Sequence, residues 1–382
     1  MLGGFRRLNQ KENHLRHVKN SLALSVASVL AGCSGSPGDT TDDHDGINMA
    51  IVGQAIIEHD PRQYLDAPLQ SVVPIVDRSD VVFTNLEVAV AGAGCPCQPT
   101  RNDVFFHGAP PVVLDYLAEL GVSLLSLANN HSWDYGTAGI LSTIEEVDAR
   151  GLVHSGTGTD VTDATAPAYL EVGGLTLSLI STASVNSPDE ARATESRPGV
   201  NMLDPLSTAD WERNLASIRD ADPTSDIVVV YHHFQTDAEP GWQQSWARAT
   251  IEAGADIYVS HGEPVLAGVE VYRDRLILYG LANFIFQSRT EPGYYPAETW
   301  QSVVAEVSMD AGGLDGVVFT PIVLDPGEPG PLFFERRGFP EVAGGELGQS
   351  ILQRLVDRSE PYGTALELEQ GRATLRIRED SG

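Results

Sequence analysis

The residues Ile227-Val-Val-Val-Tyr-His-His233 form the clearest predicted strand of the chain. Its first five residues are β-branched or aromatic with no polar interruption, which is typical of a strand covered on both faces at the centre of a parallel sheet. Two histidines follow immediately. The strand therefore carries ionisable side chains to its carboxyl end.

Shorter apolar runs alternate with helical patterns on both sides of this strand. The other predicted strands are 49–57, 80–85, 122–127, 175–181 and 256–260, with hairpins over 270–279 and 303–323. The predicted helices are 61–76, 110–120, 137–150, 207–221, 242–253 and 346–356. This rhythm predicts an α/β fold, a layered sandwich of two mixed β-sheets flanked by helices.

The composition is globular and strongly acidic. Of 382 residues, 24 are Lys or Arg and 53 are Asp or Glu, which gives a formal net charge of −29. A nucleic-acid binder needs a basic surface, so we expect no nucleic-acid partner.

The N-terminal residues are typical of an export signal. A cationic region precedes the apolar run 22–30, which is too short to span a bilayer, and the run ends at Leu30-Ala-Gly-Cys33. That ending resembles a bacterial lipobox, so residues 1–33 are predicted to be a lipoprotein signal peptide with lipidation of Cys33. The mature protein would be exported and lipid-anchored to the membrane of the cell envelope. An ordinary signal peptide and a misassigned start codon are the alternatives.

The rest of the chain divides into three predicted parts. Residues 34–48 form a flexible tether rich in Ser, Gly, Asp and Thr. Residues 49–325 form the main domain, and residues 326–382 form a C-terminal appendage packed on it.

Cys95-Pro-Cys97 is a second cysteine feature. Two cysteines are too few for a zinc site by themselves. In an exported protein they are either a local disulfide or two surface thiols, and the sequence favours neither.

Polar side chains collect where the predicted strands end. They are Gln54, Glu58, His59, Asp60, Asn85, Glu87, Asn129, Asn130, His131, Asp134, His232, His233, His261 and Glu263. Ligands of open α/β sheets bind beyond the carboxyl ends of strands, so these groups are expected to converge on one site. Imidazole, carboxylate and amide oxygen together are typical of divalent transition-metal sites. Because neighbouring side chains of a strand face opposite ways, only one of His232 and His233 can point into the site, and His232 is preferred.

Four sequence blocks resemble the bacterial capsule-synthesis CapA family, the poly-γ-glutamate capsule proteins. The blocks are 80–87 (DVVFTNLE), 128–136 (ANNHSWDYG), 254–262 (GADIYVSHG) and 278–286 (LYGLANFIF). The resemblance covers about residues 49–325 and implies a fold similar to that of calcineurin-like metallophosphoesterases. It also implies one or two divalent metal ions (Mn, Fe or Zn).

The resemblance implies a role for each matching residue. The expected roles are catalytic for His131 and Asp134, metal-binding for Glu87, Asn130, His232 and His261, and substrate-binding for Asn85 and His233. Asp134 would act by orienting His131.

Two departures from the family pattern weaken the expected two-metal site. Gln54 stands where the family has an aspartate, and the second histidine of a His-x-His-like element is replaced in Gly262-Glu-Pro264. Glu58, His59 and Glu263 are the candidate substitutes. A single-metal site and a site that binds without turnover both remain open.

Three functions follow as hypotheses. The first is a metal-dependent enzyme that hydrolyses or transfers a bond in a surface polymer or in a small phosphorylated or amide-linked substrate. The second is a non-catalytic protein that binds such a polymer or assists its export. The third, a purely structural lipoprotein, leaves the polar strand ends unexplained.

Overall fold

The structure is a computed structural model that describes residues 46–66 and 69–378. The predicted signal peptide, Cys33 and most of the predicted tether lie outside these residues. The strands are β1 (Ile47–Ile51), β2 (Gln54–Ile56), β3 (Val81–Asn85), β4 (Ala89–Val90), β5 (Gly108–Ala109), β6 (Val122–Ser126), β7 (Val153–Ser155), β8 (Thr157–Gly158), β9 (Ala168–Val172), β10 (Leu175–Val185), β11 (Gly199–Val200), β12 (Ile227–Gln235), β13 (Ile257–Gly262), β14 (Val269–Tyr272), β15 (Arg275–Leu278), β16 (Asn283–Phe286), β17 (Gln301–Asp310), β18 (Gly313–Leu324), β19 (Pro340–Val342), β20 (Glu367–Glu369) and β21 (Arg372–Arg376). The α-helices are α1 (Val73–Val76), α2 (Val112–Glu119), α3 (Gly136–Asp148), α4 (Val161–Thr165), α5 (Thr208–Ala221), α6 (Trp242–Glu252), α7 (Phe333–Arg336) and α8 (Gly345–Ser359).

Two mixed sheets organise these strands. The larger sheet has the order β20-β21-β18-β17-β1-β3-β6-β7, with β19 also paired to β18, and β1, β3, β6 and β7 run parallel. The smaller sheet has the order β14-β15-β13-β12-β10-β9, with β10, β12, β13 and β15 parallel. The predicted α/β class with mixed sheets is confirmed.

The hydrophobic clusters show how the sheets and helices are layered. One cluster joins both sheets face to face, for example through Phe83 of β3 and Val259 of β13. A second cluster packs α1 and α2 on the outer face of the larger sheet, and a third packs α5 and α6 on the outer face of the smaller one. The carboxyl ends of the central parallel strands of both sheets therefore border the same gap.

The predicted strand 49–57 and helix 61–76 are wrong in extent. The strand is interrupted at Gly53, whose backbone packs so closely on residues 282–284 that a side chain would collide with them. The following strand, β2, pairs with β16 and is not part of the large sheet. The helix is reduced to a 3₁₀ turn (Pro61–Gln63) and α1, because Leu69 adopts a φ of 59°, which a continuous right-handed helix does not contain.

The C-terminal segment adds to the large sheet as well as packing on it. β19 and β21 both pair with β18. Ile351, Leu352 and Leu355 of α8 belong to the cluster between the two sheets. The hairpins β14–β15 and β17–β18 and the helix α8 match the predicted elements.

Arg337 is a buried cation in this segment. Its side chain is 1% exposed, and its guanidinium lies over the rings of Trp300 and Phe333. Nη1 donates to the carbonyl oxygens of Ser288 (3.0 Å) and Thr290 (2.6 Å). Arg337 therefore anchors the loop after β16 through its backbone carbonyl groups.

We predict that Arg337→Met lowers the free energy of unfolding by about 2–4 kcal/mol, because two buried carbonyl groups lose their donor. Urea denaturation followed by circular dichroism measures the change. The neighbouring Arg336 is exposed, so Arg336→Met is the matched control with an expected change within about 0.5 kcal/mol. Equal effects of the two substitutions would contradict the anchoring role of Arg337.

Candidate functional site

The alternation of side chains along β12 determines which histidine enters the gap between the sheets. Val229 and Tyr231 belong to the inter-sheet cluster, whereas Val228 and Val230 belong to the outer cluster with α5 and α6. With a period of two residues, His233 faces the gap and His232 faces outward.

His232 is accordingly a core residue of the outer layer. Its Nδ1 is 2.7 Å from the Tyr258 hydroxyl and its Nε2 is 2.9 Å from Ser184 Oγ. Both ring nitrogens are occupied, and burial lowers its pKa to about 3. The preference for His232 over His233 is thus wrong. Trp242 and Trp246 of α6 pack in this layer beside His232.

The same alternation places residues of β13 and β3 in the gap. Ile257 and Val259 belong to the inter-sheet cluster, so His261 follows them on the same face. Phe83 fixes Asn85 in the same way on the larger sheet. His233 and His261 are lateral neighbours in the β12–β13 register.

Glu87 lies in the middle of this group. It is 3% exposed, with Oε1 3.7 Å from His233 Nε2 and 4.0 Å from His131 Nε2. Its Oε2 has no hydrogen-bond partner among the described residues. Burial, together with the charge of Asp134, raises the pKa of Glu87 well above its usual range.

The two gap-facing histidines offer free nitrogen atoms. His233 Nδ1 lies 3.1 Å from the Tyr231 hydroxyl and 3.4 Å from Asn85 Nδ2. Within the described part of the chain, His233 Nε2 and both ring nitrogens of His261 lack partners. Burial lowers both pKa values, that of His261 to about 3, so both rings are neutral at pH 7. Neutral imidazoles can donate lone pairs to a cation.

A histidine–aspartate pair stands beside this group. The turn after β6 places His131 Nδ1 2.8 Å from Asp134 Oδ2, and the Asn129 side chain accepts from the His131 backbone N–H. Burial lowers the pKa of His131 to about 4 despite the carboxylate. A neutral His131 whose Nδ1–H donates to Asp134 presents an unprotonated Nε2 toward Glu87.

A second histidine–carboxylate pair was missed in the sequence. His107 Nδ1 is 2.6 Å from Glu58 Oε1, its ring packs against that of His131 at 4.4 Å, and its backbone N–H donates to Asp134. Arg289 binds the other oxygen of Glu58. The only sequence signal for His107 is a single histidine between the predicted strand 80–85 and the predicted helix 110–120, and a single histidine is a weak signal.

The remaining candidates at the strand ends differ in burial and in role. Gln54 connects two neighbouring segments: its Nε2 donates to Asn283 Oδ1 (2.9 Å) and its Oε1 accepts from the Gly262 N–H (3.1 Å). Asn283 also donates to the Thr299 carbonyl, as expected of a buried structural amide. Of the three candidate substitutes, Glu58 is buried at the site, His59 is half-buried and Glu263 is exposed.

Cys95 and Cys97 form a disulfide, which decides between the two alternatives left open. The Cys95 Sγ also contacts the Ala138 carbonyl of α3. The disulfide therefore closes the loop that follows β4 against the helix next to the site.

The donor atoms fit a divalent metal by their chemistry. Unpartnered buried atoms of Glu87, His233 and His261, with Asn130 Oδ1, supply carboxylate, imidazole and amide oxygen. Their spacing fits less well, since among residues 46–66 and 69–378 no three His, Cys, Asp or Glu side chains are grouped to hold a metal ion.

Comparison with known proteins identifies the family of this arrangement. The family described as bacterial capsule synthesis protein PGA_cap matches residues 44–288. The chain belongs to this family. It is 29% identical over 336 residues to the PGA biosynthesis protein CapA of Bacillus subtilis, covering 85% of this chain and 84% of that one. It is 25% identical over 299 residues to the capsule biosynthesis protein CapA of Bacillus anthracis, covering 76% and 70%.

The family match covers most of the candidate site and ends one residue before Arg289. It includes Glu87, His131, His233 and His261 but not Arg337. The resemblance of this CapA-family chain, first seen in four sequence blocks, is confirmed. In the described ranges no helix is long and apolar enough to cross a membrane.

We predict opposite stability effects at two equally buried histidines. His261→Phe leaves the free energy of unfolding unchanged or raises it by about 1 kcal/mol, because it removes two unpartnered polar atoms. His232→Phe lowers it by about 2–4 kcal/mol, because Tyr258 and Ser184 lose their partner. Urea denaturation of both variants measures the difference. An equal loss in both would identify His261 as a structural core residue.

Proposed function

We propose that this chain is an extracytoplasmic accessory protein in the synthesis of a polyglutamate-type capsule. Membership of the PGA_cap family and likeness to two CapA proteins support this assignment. We further propose that Cys33 carries the lipid anchor. Retention of a Cys33→Ser variant in the membrane fraction, with the precursor cleaved, would contradict the anchor.

We also propose that the gap between the sheets binds one divalent metal ion. Glu87, His233 and His261 would hold it, with the Asn130 amide oxygen as a fourth ligand. The support is the set of buried donor atoms without partners, which is costly unless a ligand satisfies them. His233 takes the place first given to His232, and the Tyr231 hydroxyl next to its Nδ1 would fix the ring orientation. When bound, such a metal polarises a carbonyl or phosphoryl oxygen.

The pair His131–Asp134 would handle the proton in a hydrolysis or transfer. Asp134 orients His131, whose Nε2 faces the same space as Glu87. A neutral imidazole in that position can accept a proton from an attacking nucleophile and return it to a leaving group. Asn85, behind His233, would position that ring rather than touch the substrate.

Binding of the polymer without turnover is the second candidate. It is favoured by the neutral amide of Gln54 at the family's aspartate position, which is engaged in bracing Asn283 and Gly262. It is also favoured by the loose spacing of the donor side chains.

Metal content of the purified protein distinguishes the two candidates. We predict about one Mn, Fe or Zn per chain by mass spectrometry, falling at least tenfold in His233→Ala and His261→Ala because each loses a ligand. His154→Ala, at a half-buried histidine of β7 paired with Asp148, is the matched control and keeps its metal. His131→Ala keeps the metal but loses hydrolysis of γ-linked glutamyl oligomers or of a generic phosphodiester. A folded, metal-free wild type would contradict the metal proposal and leave binding alone.

A further inference from the structure

Two partly exposed arginines border the candidate site. The side chain of Arg289 is 41% exposed and that of Arg101 is 35% exposed. Each also contacts one of the buried site carboxylates, Arg289 that of Glu58 and Arg101 that of Asp134. Neither contact uses all the donors that a guanidinium carries.

Arg289 is fixed in place with donors to spare. Its Nε and Nη2 both bind Glu58 Oε2, the former at 2.7 Å, while His107 occupies Oε1. Arg337 holds the carbonyl groups on either side of it, those of Ser288 and Thr290. The loop is thus anchored on both sides of Arg289, which lowers the entropy cost of binding a ligand there.

Arg101 is held more loosely beside the histidine pair. Its Nε lies 3.5 Å from Asp134 Oδ1, and its Nη1 lies 3.5 Å from the Phe105 carbonyl. Its positive charge acts on His131, whose pKa it lowers, though less than burial does. Arg101 therefore stands within electrostatic reach of the proposed proton-handling group.

The loops that carry the two arginines touch each other. The rings of Phe105 and Tyr294 lie 6.1 Å apart, joining the loop after Arg101 to the loop after Arg289. Tyr135, in the turn before α3, is acted on by the charges of Arg289 and Asp134. The two arginines therefore lie on loops that contact each other at the border of the candidate site.

The charges around the two arginines are of both signs, but they differ in their exposure to solvent. The carboxylates paired with the arginines are buried, at 1% exposure for Glu58 and for Asp134, whereas the guanidinium groups reach solvent. The same two loops also carry the exposed Asp103 and Glu291. At physiological salt, charges beyond about 8 Å are screened, so a net charge of −29 does not bar an anion from contacting the two exposed guanidinium groups.

We propose that Arg101 and Arg289 form an anion subsite that binds a free α-carboxylate of a γ-linked glutamyl chain, the group that the γ-linkage leaves unreacted. The proposal rests on the proposed function for the identity of the polymer. Guanidinium groups bind planar carboxylates through paired hydrogen bonds, and phosphate shares this oxyanion chemistry. The subsite would hold the polymer with one of its linkages over Glu87 and His131.

Calorimetric binding of a γ-linked glutamate tetramer to the full mature protein tests the subsite. We expect Arg289→Gln and Arg101→Gln each to weaken binding about tenfold or more, and Arg289→Lys to weaken it less. Arg219→Gln, at an exposed arginine of α5 paired with Glu212, is the matched control and binds as the wild type does. If Arg289→Gln fails to fold, Arg101→Gln decides, since Arg101 makes only long contacts.

Several results would overturn the subsite. The first is that the wild type does not bind the tetramer. The second is that the wild type and both glutamine variants bind it with equal affinity. The third is that Arg219→Gln loses as much affinity for the tetramer as the other two variants do. Inorganic phosphate that binds more tightly than the tetramer, and only with both arginines present, would reassign the subsite to phosphate. Metal content of the same samples separates the two proposals: arginine-dependent binding by a metal-free protein keeps the subsite and removes the metal.

Discussion

Neighbouring side chains along a β-strand point to opposite faces of the sheet. The candidate site depends on this alternation in β3, β12 and β13. The inter-sheet cluster takes Phe83, Tyr231 and Val259. Asn85, His233 and His261, two residues further along each strand, must then enter the same gap. Hydrophobic packing between the sheets thus fixes the direction of polar groups that contribute little to stability themselves.

The site has a neutral interior and a charged border. Glu87, His233 and His261 lie inside without full hydrogen bonding, and burial disfavours the charged form of each. Arg101 and Arg289 balance the carboxylates of Asp134 and Glu58 at the border. Such an interior is unfavourable for folding, and retaining it is typical of a binding site. The C-terminal segment supports this border through Arg337, although the family match stops at residue 288.

Much of the fold and part of the site could be predicted from the sequence. Apolar runs and hairpin spacing located the central strands, and strand-end polarity located Glu87, His131 and His261. The facing of His232 and His233 could not be predicted, because both faces of β12 are buried and a continuous apolar run carries no alternation. His107 and Arg289 were missed because loops bring them to Glu58 from 49 and 231 residues away. The interruption of the first strand at Gly53 depends on the close approach of residues 282–284. These residues are distant in the sequence, so the local pattern does not show the contact.

The central claim is that His233 and His261, from neighbouring strands, serve one ligand-binding centre while His232 serves the core. Nitrogen-15 NMR of the histidine rings during addition of Zn²⁺ tests it most directly. We expect the unprotonated ring nitrogens of His233 and His261 to shift together at one equivalent of Zn²⁺, while the His232 nitrogens, bonded to Tyr258 and Ser184, do not shift. A shift of His232, or of only His59 and His154 nearer the surface, would contradict it.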